Sequence, residues 1–209
     1  MSGQPFYEER MFKRIASEAL GLSDIGIIVP PSDYTKVDAD DYLFHEDGEK
    51  IFFLIKSKKD EYCFTNFALI HVDGESAVSA KRSIKRYEFS HHRVSGVSIE
   101  TAGTVDRDVE LKFRIDELAF SIDVRKDFIE ALKDIYKALI AIGHQQKRDQ
   151  IARDNVQPCL AAVASAFKIG SAGGDDVLAR QFHLLLNATN EGVRPTRDFS
   201  ASFEKYIHA

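Results

Sequence analysis

The feature that most constrains this chain is a change of period between Val109 and Ile142. Val109, Leu111, Phe113 and Ile115 alternate with Glu110, Lys112 and Arg114. Leu118, Phe120, Ile122 and Val124 alternate with Ala119, Ser121 and Asp123. A period of two puts all the large apolar groups of each run on one face of a sheet. Asp116-Glu117 separates the runs, so together they read as a hairpin. The period then lengthens. Phe128, Leu132, Ile135, Leu139 and Ile142 recur at helical spacing, and Ile129, Tyr136 and Ile140 widen the stripe. A hairpin followed at once by such a helix predicts that the helix packs back on the apolar face of the sheet.

Upstream the chain is dense in strand signals. Ile51 to Ile55 is a continuous apolar run bounded by lysines, and Tyr62 to Asn66 and Phe67 to Val72 are two more strand-like runs. Ser83 to Phe89 carries Tyr87 and Phe89 on one face, and Val94 to Thr101 carries Val97, Ile99 and Thr101 together. Lys58-Lys59-Asp60 and Asp73-Gly74 are turns, and Ala102-Gly103-Thr104 is a break. About seven short strands in succession, with no helix between them, predict a mainly β plus α fold. The expected form is a small antiparallel β-barrel or orthogonal sandwich, capped at one open end by a helix over Asp127–Ile142. Asp127 with Glu130 reads as its capping box and Gly143 as its stop.

The flanks read as helical. Pro5 to Leu20 has an apolar side (Phe6, Met11, Phe12, Ile15, Ala19, Leu20) and mixed charges elsewhere, which favours docking on the main domain over a membrane anchor. Pro30-Pro31-Ser32-Asp33 is a turn, with Ser32 or Asp33 placed to cap a short helical turn. After Gly143 the chain is polar to Asn155, and Pro158 is expected in the first turn of a new helix. Gly170 to Gly174 breaks it, Asp175-Asp176 opens a second helix, and Phe199 to Ile207 suggests a short last one. The chain therefore divides into a lead-in at 1–41, a barrel with its capping helix at 42–143, and a helical tail at 144–209.

That tail carries more apolar residues than a small helix pair can bury, so another copy of the chain is its expected partner. The candidate interface is Leu160, Val163, Phe167, Leu178, Phe182, Leu185, Phe199, Phe203 and Tyr206.

Composition excludes more than it assigns. A formal charge of −5 argues against a chain whose main business is coating nucleic acid. Cys63 and Cys159 lie far apart, and both are expected reduced and buried. No apolar run approaches the roughly 20 residues of a membrane span, and no basic segment with an apolar core opens the chain, so the expected location is the cytoplasm. His91-His92 has no Cys, Asp or Glu at ligand spacing, no nucleophile elbow surrounds a serine, and Gly170 to Gly174 lacks the Lys-Ser/Thr of a phosphate loop. The expectation is a non-enzymatic protein with no metal or cofactor.

The run Glu100-Thr101-Ala102-Gly103-Thr104-Val105-Asp106, with Asp108-Val109-Glu110-Leu111 after it, resembles a signature of the bacterial pleckstrin-homology (PH) domains. Asp60 to Asn66, leading into Leu69 to Asp73, is similar to the second and third strands of the same family. The resemblance covers Tyr42 to Ala141, and the flanking helices resemble the YvbH-type arrangement, with its C-terminal oligomerisation region. It implies a PH-like barrel and self-association, and no reaction.

Lipid-binding PH domains gather phosphates with basic residues around the first strand hairpin. Lys56, Lys58 and Lys59 occupy the matching turn, but Asp60 and Glu61 follow where that pattern has further basic residues. Lys81, Arg82, Lys85 and Arg86 form a second basic run, which a strand splits between two faces and which reads as solvated edge charge. The function expected is a homo-oligomeric binding or scaffold protein that meets itself and other proteins. The alternative is a peripheral module with weak contact to anionic membrane surfaces.

Overall fold

A computed structural model describes residues 23–74, 82–101, 108–166 and 175–207. The helix expected at Pro5 to Leu20, the break at Ala102 to Thr104 and the loop at Gly170 to Gly174 lie outside these residues. The chain forms two compact units, Met1–Gly143 together with Arg197–Ala209, and His144–Thr196.

In the first unit, β1 (Ile27–Ile28), β2 (Ile51–Lys56), β3 (Asp60–Thr65), β4 (Ala68–Gly74) and β5 (Arg82–Glu88) form one antiparallel sheet in sequential order. β6 (Val94–Thr101), β7 (Asp108–Ile115) and β8 (Leu118–Arg125) form a second. The β7–β8 hairpin has the register its alternation predicts, Val109 opposite Val124, Leu111 opposite Ile122 and Phe113 opposite Phe120. The rings of Phe113 and Phe120 stack at 4.9 Å. The sheets meet where Gly26 donates to the Asp123 carbonyl and accepts from Arg125 N–H, at 2.8 and 2.9 Å. A Cβ on Gly26 would lie 2.8 Å from the Ile55 side chain and 3.0 Å from the Asp123 carbonyl, so only glycine fits this corner. β1 is two residues long, too short for a periodicity signal, which is why the sequence suggests about seven strands while the described residues form eight.

The helix α1 (Ile129–Ala166) buries Leu132, Ile135, Leu139 and Ile142 against Phe64, Leu111, Phe113 and Ile115 in the main core. The expected capping box does not form. A 3-10 turn over Lys126–Phe128 leads into α1, Asp127 pairs with Arg125 at 3.2 Å, and Glu130 pairs with Lys133 at 2.6 Å. Nor does α1 stop at Gly143. A Cβ there would lie 2.9 Å from the Val94 carbonyl, so this glycine permits close packing and does not end the helix. Pro158, expected to open a new helix, sits inside α1 at an exposed position, where water can satisfy the carbonyl it leaves unpaired.

The five-stranded sheet is apolar on both faces. Leu54, Cys63, Ile70 and Val72 pack under Val29, Val37, Ala39 and Leu43, which come from the lead-in and its 3-10 turns Pro31–Lys36 and Asp38–Tyr42. Two buried faces explain why Ile51 to Ile55 reads as a continuous apolar run. Neither Ser32 nor Asp33 caps the first of these turns; it starts at Pro31, and Asp33 holds Lys36 at 2.5 Å.

The chain's last described segment returns to the barrel. Phe199 N–H donates to the Asn66 carbonyl at 2.9 Å, and α3 (Ser200–Glu204) follows. Phe199 and Phe203 are buried in the main core, and Tyr206 packs against it half-buried. This corrects their reading as interface residues of the tail. They fill the core beside Phe52 and Phe89, so the barrel and not a second copy is their partner. It also corrects the tail's boundary, because 197–207 belongs to the barrel unit.

The second unit is a helical hairpin. α2 (Asp175–Val193) runs antiparallel to the later part of α1: Thr196 N–H donates to Asp149 at 2.8 Å, Gln145 donates to the Thr196 hydroxyl at 3.2 Å, and a Cβ on Gly192 would lie 3.7 Å from Val156.

Candidate functional site

Two sets of residues marked by the sequence bear on function, the basic runs and the apolar tail. The basic runs are largely consumed within the molecule. β2 and β3 place Lys56 opposite Glu61, and the two side chains form an ion pair that is largely buried. The Glu61 carboxylate also accepts Ala39 N–H at 2.9 Å, so the pair ties the 3-10 cover to the sheet. Lys58 and Lys59 sit exposed in the β2–β3 turn, with Lys59 3.8 Å from Asp24.

On β5, Lys85 pairs with Asp73 at 3.4 Å across the strands, while Arg86 faces the other way. Arg86 donates two bonds, of 3.0 and 3.1 Å, to the buried carboxylate of Glu49 and a third of 3.3 Å to Glu88. Lys81 and the side chain of Arg82 lie outside the described residues. An anionic headgroup arriving at this surface would compete with carboxylates already in contact, and a short buried pair loses more on opening than a solvated one.

The Glu49–Arg86 pair carried no signal in the sequence, because its partners are 37 residues apart. Its carboxylate is fully satisfied. Besides Arg86 it accepts the Thr65 hydroxyl at 2.5 Å and Phe44 N–H at 2.8 Å. The Arg86 guanidinium lies 4.5 Å over the Phe44 ring. The acid, the base and the ring form one unit that fixes the chain at Phe44 against β3 and β5.

Three of the histidines on the strands and their turns lie beside carboxylates. His71 is 3.1 Å from Asp60 and stacked on Tyr62, His91 is 3.2 Å from Glu88, and His92 is 2.7 Å from Asp116. Among the described residues no three His, Cys, Asp or Glu gather as a metal site would need. Burial pushes the Cys63 thiol well up, with the charge of Glu61 adding to it, so this sulfur is a core group and not a nucleophile. Cys159, expected to be buried, is exposed on α1. It lies in the polar later part of the helix, beyond the stripe that enters the core.

The apolar tail is differently placed. Leu160 is half-buried on α1. On α2, Phe182 is 62%, Leu184 69%, Leu185 41% and Leu186 42% exposed. The side chains of Val163 and Leu178, and all of Phe167, lie outside the described residues. Of the nine interface candidates, Phe182 and Leu185 are thus displayed to solvent on one helix, three residues apart and on one face. No helix among the described residues is long and apolar enough to cross a membrane.

Two antiparallel sheets with a helix packed into their core form a PH-type barrel. Residues 19–142 match the bacterial PH domain family model, and the chain belongs to that family. It is 59% identical over 150 residues to YvbH of Bacillus subtilis (strain 168), which spans 72% of this chain and 74% of YvbH. It is 36% identical over 99 residues to YjqA of the same organism, 46% of this chain and 76% of YjqA. The crystal structure of a PH-domain-containing bacterial protein from Exiguobacterium sibiricum 255-15 superposes with a TM-score of 0.77 at 42% identity, covering 88% of this chain and all of that one. The family match begins at residue 19, ahead of the Tyr42 at which the resemblance in sequence starts, in keeping with a lead-in that covers the sheet's second face.

Proposed function

We propose that the protein is a non-enzymatic, homo-oligomeric scaffold of the cytoplasm, in which the PH-type barrel is the binding module and the helical hairpin joins copies. The observation that supports this reading is α2, where Phe182, Leu184, Leu185 and Leu186 stand exposed on a unit of only two helices. Isolated exposed leucines are ordinary, but Phe182, Leu185 and Leu186 fall on one face of α2 and form a stripe of the kind that marks an interface. A second hairpin brings the same stripe, and pairing about a two-fold axis covers both without leaving an open end.

The charge arrangement supports a protein partner over a lipid one. Of the basic residues marked in the sequence, Lys56, Lys59, Lys85 and Arg86 each have a carboxylate partner in the folded chain, and Lys58 stands exposed beside them, a smaller free charge for an anionic membrane than the full run would offer. Size-exclusion chromatography with light scattering on the full chain tests the reading. The expected mass is a multiple of the single chain at micromolar concentration, and a single-chain mass would refute self-association.

A further inference from the structure

The first unit has its own exposed apolar patch, far from α2 in sequence. Its exposed large apolar residues, among those described, are Tyr42, Phe44, Ile84 and Leu118. The first three, at 45%, 47% and 38% exposure, line one open groove of about 370 Å³ together with Asp41, Leu43, Ile70 and Arg86. Three of four in one place is clustering beyond what scattered surface residues give.

The groove's walls are held from behind. Ile70 belongs to the core under the 3-10 cover, and Ile84 is carried on β5, the outermost strand of its sheet. The Phe44 ring is fixed under Arg86, whose guanidinium is anchored to buried Glu49, and Glu49 also holds Phe44 N–H. A cleft whose aromatic wall is fixed by buried charge costs a ligand little ordering on binding.

Asp41 is the one acid among the residues that line the groove, and the chain on either side of it is acidic. The chain entering and leaving Tyr42–Phe44 carries Asp38, Asp40, Asp41, Glu46 and Asp47 against a single His45. Asp47 is engaged by Arg197 at 2.7 Å, and Asp40 lies 3.5 Å from His45. Asp41 and Glu46 are exposed and have no ion-pair partner among the described residues. Arg86, the one basic residue lining the groove, is neutralised by Glu49.

We propose that this groove docks a segment of a partner protein that presents a large apolar side chain flanked by lysines or arginines. The apolar group enters between Tyr42, Phe44 and Ile84, and the flanking cations meet Asp41 and Glu46. The proposal is independent of the hairpin and of the protein's oligomeric state.

Fluorescence anisotropy on the full chain tests it, with a labelled synthetic peptide of Leu-Phe flanked on both sides by lysines. The control is a twin peptide with glutamate at every lysine. The lysine peptide is expected to bind saturably and to weaken with added salt, and the glutamate twin to bind about tenfold more weakly or not at all. Ile84→Lys and Asp41→Lys are each expected to lower affinity for the lysine peptide about tenfold. Both side chains are exposed, and thermal melts check that the variants fold; should Ile84→Lys fail to fold, Asp41→Lys and Asp41→Asn decide. Equal binding of the twin, no binding of the lysine peptide, or unchanged affinity in the variants overturns the proposal. So does a wild-type self-association, or binding to phosphatidylglycerol vesicles, that Ile84→Lys abolishes, since the groove would then belong to a second copy or to lipid.

Discussion

Phe203 lies face to face with Phe52, their ring centroids 5.0 Å apart and their planes 14° from parallel. The two residues are joined by no local pattern, yet the contact sets where the barrel ends. Phe203 is fully buried, and Phe89 approaches it at 6.3 Å while Phe199 meets Phe89 at 5.8 Å. Phe203→Ala should therefore cost about 3–5 kcal/mol of barrel stability by urea denaturation, as for other buried phenylalanines. A loss below about half a kcal/mol would show that the C-terminal segment does not close the core. For the same reason truncation after Gly143 should destabilise the barrel, and it is not a clean way to remove the hairpin.

A second prediction concerns pH. Asp116, in the β7–β8 turn at φ 50°, accepts Arg93 N–H at 2.8 Å and pairs with His92. The bond from the Arg93 backbone, and then the His92 contact, hold its carboxyl below the ordinary aspartate range. A carboxyl depressed in the folded state contributes stability that is full above the unfolded aspartate value of about 3.9 and is lost as the pH falls through the folded value. The stability difference between the wild type and Asp116→Asn should shrink towards zero as the pH falls from about 5 through the folded aspartate value. A difference that grew as the pH fell below about 4 would contradict the assignment.

Lipid binding should be weak. Opening the Lys56–Glu61 and Arg86–Glu49 pairs to receive a phosphate would strand carboxylates that are almost wholly buried. Co-sedimentation with anionic liposomes should show at most shallow binding that fades with salt. Saturable micromolar binding to one phosphoinositide headgroup at physiological salt would reverse this conclusion.

How much of this was legible in the sequence depended on how local its cause was. The β7–β8 register and the Leu132–Ile142 stripe follow from periods of two and 3.6, and the structure reproduces both. The 3-10 cover was not legible, because Val29, Val37, Ala39 and Leu43 fit neither period, and their placement comes from the sheet beneath them. Gly143 and Pro158 misled for a physical reason. Each is a helix breaker by propensity, but close packing of Gly143 against Val94 and access of water to the carbonyl freed at Pro158 offset part of the cost. The groove between Tyr42 and Ile84 brings together residues 42 apart in the chain, and the apolar run Tyr42-Leu43-Phe44 between acidic runs was its trace.

Light scattering on the full-length protein beside a Phe182→Asp, Leu185→Asp double variant decides whether α2 joins copies of the chain. Both side chains are exposed on one helix face, so the substitutions should leave the circular dichroism spectrum unchanged. The expected result is a wild type of oligomeric mass at micromolar concentration and a variant of single-chain mass. A wild type of single-chain mass, or a variant that keeps the oligomer intact, would contradict it.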